Sequence, residues 1–231
     1  MFKWNKMSFL VSGGSRGLGR QVAISLAKKG SLVGIISRTV PYDIPEDVSS
    51  YIVHFQGSIT DEDLIKEAFN WLLKRDRQFY GFVHCAANLA LGEVNYFKTD
   101  DYSLIIDTQL KGAFLLTKIV YEYLKHNNEG IMIFIGSILS HESTIDSSLY
   151  VMAKHGLEGF AKAIRDDLFW SKIRVYMVCP DDLNTSFIPK GPPHPSRVID
   201  VKELSSFIIS LIPPKNTFYP FHLEIRGIPK E

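Results

Sequence analysis

Seven short runs of apolar, β-branched and aromatic residues recur along the whole chain, separated by longer segments. The runs cover residues 8–12, 32–37, 51–55, 80–86, 130–137, 173–180 and 218–225. Runs that are apolar at consecutive positions are typical of strands buried on both faces of a parallel sheet. The regular alternation of such strands with helical segments predicts an α/β fold, in which one doubly wound parallel sheet of about seven strands is flanked by helices.

The segments between the runs carry the end signals of helices. Thr60 and Asp63 resemble a capping box that opens a helix over 61–75, and Gly30 stands where a glycine commonly closes a helix, here the first one. Two long helices and a shorter one are predicted further along the chain, over 99–126, 147–170 and 201–211.

The chain of 231 residues is long enough to bury one substantial core, and we interpret residues 1–231 as a single domain. No repeat, low-complexity tract or linker marks a second domain. The proline-rich segment 187–200 is predicted to be an irregular loop. A loop of that length inside a compact domain is more often functional than accidental.

The charge balance bears on partners and location. With 26 basic and 25 acidic side chains, a broad positive field for nucleic acid is not expected. Cys85 and Cys179 are too few for a disulfide scaffold and lack the spacing of a zinc site, so no metal is expected. No signal peptide or membrane-spanning segment is predicted either. We therefore expect a cytoplasmic protein that contacts no membrane.

A glycine-rich segment, Ser12-Gly13-Gly14-Ser15-Arg16-Gly17-Leu18-Gly19, joins the first predicted strand to the first predicted helix. Glycines let a phosphate approach the backbone, and the helix N-terminus offers N–H groups and the positive end of a dipole. A plain tight turn is the alternative, but the position between strand and helix favours dinucleotide binding in a Rossmann-type sheet. The predicted cofactor contacts here are Gly13, Ser15, Arg16, Gly17, Leu18 and Gly19.

The end of the second strand indicates which dinucleotide is bound. A carboxylate there would bind the ribose 2′-hydroxyl of NAD and repel a 2′-phosphate. The strand ends in Ile36-Ser37-Arg38-Thr39, and no acidic residue follows before Asp43. Arg38 and Arg16 can together clamp a 2′-phosphate. We therefore expect NADP(H), although either arginine alone would be interpreted as solvated surface.

Tyr150 and Lys154 stand four residues apart at the start of a predicted helix, and so share one face at a separation of about 6 Å. We expect the Lys154 ammonium to lower the pKa of the Tyr150 phenol toward neutral pH. Tyr150 can then exchange a proton with a carbonyl oxygen. Ser137 ends the fifth predicted strand, and the intervening loop can bring its hydroxyl to the same oxygen.

A second pair, Tyr121 and Lys125, has the same spacing. Its matching hydroxyl, Thr108, lies in the same predicted helix, so Thr108 and Tyr121 would be about 20 Å apart. That set cannot converge on one substrate atom.

Taken together, these segments resemble the short-chain dehydrogenase/reductases, in the NADPH-dependent branch that is similar to 3-oxoacyl-acyl-carrier-protein reductases. The matching segments occur in the family's order and span nearly the whole chain. They are VSGGSRGLGR at 11–20, SR at 37–38, IGS at 135–137, YVMAK at 150–154 and CPDDLNT at 179–185.

The resemblance implies a role for each matching residue. Tyr150 is expected to be the acid/base, Lys154 to hold the nicotinamide ribose and lower the phenol pKa, and Ser137 to orient the substrate carbonyl. Pro180 to Thr185 are expected to flank the nicotinamide, with the Thr185 hydroxyl near its carboxamide.

Two cofactor positions depart from the family pattern. His84-Cys85-Ala86-Ala87 replaces the usual Asn-Asn-Ala-Gly turn, and Gly57-Ser58 stand where a carboxylate usually lies near adenine. Ala86 and Ser58 are still expected to contact the cofactor. For His84, a hydrogen bond to neighbouring backbone is favoured over a catalytic role.

Two departures affect the reaction itself. Gln109, in DTQLKG, replaces the asparagine that is the family's fourth catalytic residue, which moves the amide outward by one methylene. Asp181 replaces a glycine after the proline of the sixth strand and puts an acidic group near the expected nicotinamide site.

Three functions remain open at this point. The first is an NADPH-dependent ketoreductase of a 3-oxoacyl thioester in fatty-acid-like or polyketide-like synthesis, with an acyl carrier protein as partner. The second is a reductase of free ketones or a dehydrogenase of alcohols. The third is a dinucleotide-binding sensor or partner subunit, which the intact Ser137, Tyr150 and Lys154 disfavour.

The substrate walls are expected in residues 88–96 and 138–149 and in the 187–200 loop, including Leu89, Leu91, Tyr96, Ile138, Leu139 and Phe187. That loop is short, which favours an open cleft suited to a carbonyl on a carrier arm.

The resemblance also implies a homodimer or homotetramer, because the helices at 99–126 and 147–170 pair across a two-fold interface in this family. The second helix carries Phe160, Leu168, Phe169 and Trp170, for which burial in the core is an equally good explanation.

Overall fold

A computed structural model describes residues 2–185, 198–214 and 218–228. This part of the chain contains one seven-stranded sheet, in the order β3-β2-β1-β4-β5-β6-β7, with every neighbouring pair parallel. The strands are β1 (Met7–Ser12), β2 (Leu32–Ser37), β3 (Ile52–Gln56), β4 (Gln78–His84), β5 (Gly130–Ile135), β6 (Ile173–Pro180) and β7 (His222–Ile225). The predicted α/β fold with a doubly wound parallel sheet is therefore confirmed.

Helices cover both faces of the sheet. They are α1 (Gly17–Lys28), α2 (Glu46–Ser49), α3 (Glu62–Leu73), α4 (Thr99–Ile106), α5 (Gly112–Asn127), α6 (Ser148–Asp167) and α7 (Val201–Ser210). Neighbouring residues of β1 point to opposite faces, as a strand requires. Leu10 packs in a core cluster with residues of α3, α5 and α6, and Phe9 packs in a second cluster with residues of α1 and α7.

The helix predictions are confirmed in outline and corrected in detail. Asp61, and not Thr60, caps α3, because its carboxylate accepts hydrogen bonds from the N–H groups of Asp63 and Leu64. Gly30 ends α1 with φ +91°, as a C-terminal glycine does. The helix predicted over 99–126 contains a π-helical turn, Asp107–Lys111, between α4 and α5.

Three further differences concern irregular segments. The short helix α2 was not predicted. The seventh predicted strand, 218–225, begins only at His222, which leaves a four-residue edge strand. Most of the loop predicted at 187–200, including Phe187, lies outside the described residues. In its described last part, Ile199 forms an isolated parallel bridge with Leu183.

The strand order reverses between β1 and β4. The chain builds β1, β2 and β3 outward in one direction, then crosses to β4 and continues the other way. In doubly wound sheets, ligands bind at the carboxyl ends of the strands at such a reversal. The fold therefore places a binding crevice where β1 and β4 end, at Ser12 and His84.

Within the described ranges, no helix combines the length and the apolar character needed to cross a membrane.

Candidate active site

A cleft of about 1280 Å³ opens at the carboxyl edge of the sheet. Its lining includes every predicted site residue except Gln109: Gly13, Ser15, Arg16, Gly17, Leu18, Gly19, Arg38, Ser58, Ala86, Ser137, Tyr150, Lys154, Pro180 and Thr185. The structure thus brings together, in one cavity, residues that are up to 172 positions apart, because all seven strands end beside it. Their individual roles stay predictions.

The glycine-rich loop is shaped for close approach. Gly13 has φ +70°, and a Cβ there would lie 2.8 Å from Cα and N of Ala86, so the loop can pass the end of β4 only with glycine. Within the described chain, α3 and α7 have capping carboxylates, from Asp61 and Asp200, whereas the Arg16 side chain makes no cap bond to α1. The first N–H groups of α1 therefore fit a phosphate group of a dinucleotide.

The two arginines lie where the cofactor prediction requires them. Arg16 and Arg38 are both exposed and both line the cleft. Arg38 Nη2 donates to Asn88 Oδ1 at 3.1 Å, which orients the guanidinium and leaves its other N–H groups for a ligand. This end of the cleft is positively charged and fits a 2′-phosphate.

The reacting groups converge on the opposite wall. The Tyr150 phenol shares a side-chain hydrogen bond with Ser137. Lys154 is buried, and its Nζ donates to the backbone oxygen of Ile135 at 2.9 Å. The same Nζ lies 5.3 Å from the centroid of the Tyr150 ring. The end of β5 and the first turns of α6 therefore place a hydroxyl, a phenol and an ammonium in one corner.

The protonation states differ from expectation at Tyr150. Burial raises its pKa above the usual value, with smaller contributions in the same direction from Asp182 and Cys179, and only the Ser137 hydrogen bond opposes the rise. The expected lowering by Lys154 is not found, and its Nζ is directed to the Ile135 carbonyl. Burial also lowers the pKa of Lys154 to about 8. At neutral pH, Tyr150 therefore holds a proton that it can donate.

His84 belongs to a buried hydrogen-bond chain behind the cleft. Its Nε2 lies 3.2 Å from the backbone oxygen of Gln109, so this nitrogen carries the ring proton. Nδ1 then accepts from the Ser12 hydroxyl at 2.8 Å, and Ser12 Oγ accepts from the Ala86 N–H at 3.2 Å. The expectation that His84 bonds to neighbouring backbone is confirmed.

Gln109 lies outside the residues that line the cleft. It is fully buried in the π-helical turn, where Nε2 donates to the backbone oxygen of Asn88 at 3.2 Å. Its Oε1 accepts no hydrogen bond from the described residues. The Gln109 side chain thus holds the segment after β4 through the Asn88 carbonyl. Its catalytic role stays a prediction.

Asn88 was predicted only as the first residue of the substrate wall 88–96, and no role at the cofactor end was expected for it. Its side chain accepts from Arg38 and donates to Thr108 Oγ1 at 2.8 Å, and its backbone oxygen accepts from Gln109. It therefore connects the arginine end of the cleft to the π-helical turn. Its position directly after the Asn-Asn-Ala-Gly equivalent was the signal that could have identified it.

The predicted substrate walls are found in part. Four apolar side chains of the predicted segments line the cleft: Leu89, Leu91, Ile138 and Leu139. Tyr96 points outward and is 72% exposed. The acidic Asp181 and Asp182 line the side near Pro180.

Comparisons with known proteins agree with this geometry. The family model for short chain dehydrogenases matches residues 8–192. The human 3-oxoacyl-[acyl-carrier-protein] reductase is 29% identical over 177 residues, which cover 76% of this chain and 75% of that protein. The farnesol dehydrogenase of Aedes aegypti is 24% identical, with 83% of each chain covered. Among solved structures, ElxO with NADP bound is similar with a TM-score of 0.85 and 25% identity, covering 95% of this chain and 97% of that one.

The buried His84 gives the site a testable pH dependence. Burial lowers its pKa from 6.5 to about 3, so between these values the unfolded chain binds a proton that the folded chain does not. Folding stability is therefore lost as the pH falls through this window, by about 2–3 kcal/mol between pH 7 and pH 4.5. We expect urea unfolding at the two pH values to show that the free energy of unfolding of His84→Gln falls by about 2–3 kcal/mol less than that of the parent. The exposed His126→Gln is the control, and an unchanged pH dependence in His84→Gln contradicts the account.

Proposed function

This chain belongs to the short-chain dehydrogenase family and is an oxidoreductase that uses NADP(H), and from that premise we propose that it reduces the carbonyl of a 3-oxoacyl thioester to a hydroxyl. The observation that carries the proposal is the corner formed by Ser137, Tyr150 and Lys154, in which a protonated phenol is hydrogen-bonded to a serine hydroxyl beside a buried ammonium. A protein that only bound a dinucleotide would have no use for all three groups.

The residues present fit the cofactor. The loop from Gly13 to Gly19 and the start of α1 would hold the pyrophosphate, and Arg16 and Arg38 the 2′-phosphate. Lys154 would hold the nicotinamide ribose, with Pro180 to Thr185 beside the nicotinamide. When bound, NADPH supplies the hydride for the reduction.

The chain's own residues supply the proton and the positioning. The Ser137 hydroxyl donates a hydrogen bond to the substrate carbonyl oxygen and so polarises it. The Tyr150 hydroxyl transfers its proton to that oxygen as negative charge develops there. The resulting phenolate lies in the same corner as the Lys154 Nζ, which is 5.3 Å from the centroid of the ring. Burial of Tyr150 disfavours the phenolate in the resting protein, so the phenol still carries its proton when the substrate binds.

The choice of a thioester rests on the cleft and on the relatives. The apolar Leu89, Leu91, Ile138 and Leu139 line the cleft as an acyl chain would require. Several relatives are named 3-oxoacyl-[acyl-carrier-protein] reductases, among them the human and mouse proteins. We also propose that an acyl carrier protein carries the substrate and that the protein is cytoplasmic.

Reduction of free carbonyl compounds is the second candidate. Relatives named farnesol dehydrogenase and carbonyl reductase family member 4 favour it. An assay that follows NADPH absorbance with acetoacetyl thioesters, on a carrier protein and on free pantetheine, and with simple ketones separates the candidates. Higher kcat/KM for the thioesters supports the first, higher kcat/KM for ketones supports the second, and NADPH binding without turnover contradicts both.

The proton donor is tested by Tyr150→Phe. We expect kcat to fall by about 10²- to 10⁴-fold, the usual contribution of a positioned acid, with little change in NADPH binding. Tyr121→Phe is a matched control, because Lys125 lies 5.5 Å from that ring in the same i, i+4 arrangement on α5, outside the cleft lining. Turnover by Tyr150→Phe within a few-fold of the parent would show that another group donates the proton.

The 2′-phosphate clamp is tested by Arg38→Asp. Loss of a charge-assisted contact and gain of a repulsive carboxylate should raise the KM for NADPH by about 10- to 100-fold and leave the KM for NADH nearly unchanged. Arg75→Asp makes the same charge change outside the cleft lining and should alter neither value. Equal effects of Arg38→Asp on both cofactors would refute the assignment.

We also propose that the chain forms a homodimer through α5 and α6, alone or as half of a homotetramer. Phe114 on α5 and Met152 on α6 are 49% and 43% exposed, which leaves apolar surface on both helices. Sedimentation equilibrium should give the mass of two or four chains, and Phe114→Glu should shift the measured mass toward that of a single chain. A single-chain mass for the unmodified protein at micromolar concentration would contradict assembly.

A further inference from the structure

Four side chains with metal-binding atoms meet next to the reacting corner of the cleft. His141, Glu158, Cys179 and His222 each offer one ligand atom, and these atoms all lie within 4.8 Å of one another. Cys179 Sγ and His222 Nε2 are 3.2 Å apart. The imidazole rings of His141 and His222 meet edge to face, with their centroids 5.1 Å apart.

Glu158 gives an independent sign that this cluster is built to hold a ligand. Its side chain is buried, with 6% of the residue exposed, although a carboxylate is costly to bury without full compensation. Oε1 pairs with Lys162 Nζ at 2.7 Å. Oε2 is buried and has no hydrogen-bond partner among the described residues. A cation bound in the cluster would satisfy this oxygen.

We propose that His141, Glu158, Cys179 and His222 form a binding site for a divalent transition-metal ion of the zinc type. Thiolate, imidazole and carboxylate are the ligands that zinc takes in proteins, and four of them complete a closed, tetrahedral structural site. On binding, the Cys179 thiol loses its proton to solvent, while the histidines bind as neutral rings and Glu158 as a carboxylate. The two negative charges then match the charge of the ion.

The geometry requires only a small adjustment. Ligand atoms around a tetrahedral zinc ion are roughly 3.3–3.8 Å apart, so the widest separations in the cluster would close by about 1 Å. This adjustment would fall on His141, which is exposed at the end of a short 3₁₀ turn, Ile138–Ser140. Glu224 lies 2.9 Å from His141 Nε2 and adds a further carboxylate at the outer side of the cluster, where Arg226 pairs with it.

The position of the cluster indicates what the ion would do. His141 follows Ser137 by four residues, Glu158 follows Lys154 by one helical turn on the same face of α6, and Cys179 directly precedes Pro180. His222 begins β7, the short strand at the edge of the sheet. An ion would therefore crosslink β7 to the three elements that build the reacting corner, and would act as a structural centre beside the substrate site, outside the reaction itself.

Four separate elements supply the ligands, which explains why the spacing of the two cysteines predicted no metal. A zinc motif is visible in sequence when ligand pairs share one turn or one helix. Here the turn after β5, α6, β6 and β7 contribute one ligand each.

The test uses the full-length protein, treated with a chelator and then titrated with Co²⁺ and Zn²⁺ without cofactor or substrate. We expect one Co²⁺ per chain, with the absorption of a tetrahedral site and a thiolate-to-metal charge-transfer band. Cys179→Ser should abolish that band, and Cys85→Ser, the matched control, should retain it. Glu158→Gln and His222→Asn should each weaken Zn²⁺ binding by more than about 100-fold. Loss of a residue that only hydrogen-bonds to a ligand typically costs about 10- to 100-fold in metal affinity. Zn²⁺ should also raise the melting temperature of the parent, because the four ligands meet only in the folded chain.

Three results would overturn the proposal: no stoichiometric Co²⁺ binding, a charge-transfer band that survives Cys179→Ser, or one that depends on Cys85. If Cys179→Ser does not fold, the exposed His141→Asn provides the same test, since its loss should weaken Zn²⁺ binding comparably without disturbing the core. The readouts are metal affinity and spectra, so they succeed or fail independently of the reductase assays.

Discussion

The hydrogen bond between Ser12 and His84 joins the two strand ends on which the site depends. Ser12 ends β1 and His84 ends β4, and the order of the sheet reverses between these strands. Because the ring is buried and neutral, it can accept from Ser12 and donate to the backbone of Gln109 at once. The chain of bonds continues through Asn88 to Arg38. One network, buried at His84 and Gln109 and exposed at Arg38, thus connects the floor of the cleft, the π-helical turn and the arginine at the cofactor end.

In the reacting corner, burial sets the protonation state of Tyr150, and Lys154 does not pair directly with its hydroxyl. Lys154 is held by a backbone carbonyl, and Tyr150 stays protonated because its surroundings disfavour the phenolate. The Lys154 Nζ lies 5.3 Å from the centroid of the ring and is directed to the Ile135 carbonyl, so the resting phenol keeps its proton. This arrangement suits a proton donor in the direction of carbonyl reduction.

Much of the fold and the membership of the cleft could be predicted, because both follow from local patterns. Consecutive apolar residues gave the seven strands, and the parallel arrangement forced Gly13, Ser137 and Pro180 to one edge. What escaped prediction depends on packing between distant segments. The Lys154 ammonium donates to the Ile135 carbonyl, and Gln109 lies outside the cleft lining. Asn88 contacts two other side chains, and four different elements supply the ligands of the proposed ion. No spacing rule encodes such contacts.

The central claim is that this cleft reduces a carbonyl with hydrogen taken from NADPH. The most direct measurement uses NADPH carrying deuterium at the transferred position of the nicotinamide and an acetoacetyl thioester, with the product analysed by mass spectrometry. The account predicts one deuterium on the carbon of the new hydroxyl for each NADPH consumed. Consumption of NADPH without deuterium in the product, or no consumption by a protein that binds NADPH, would contradict it.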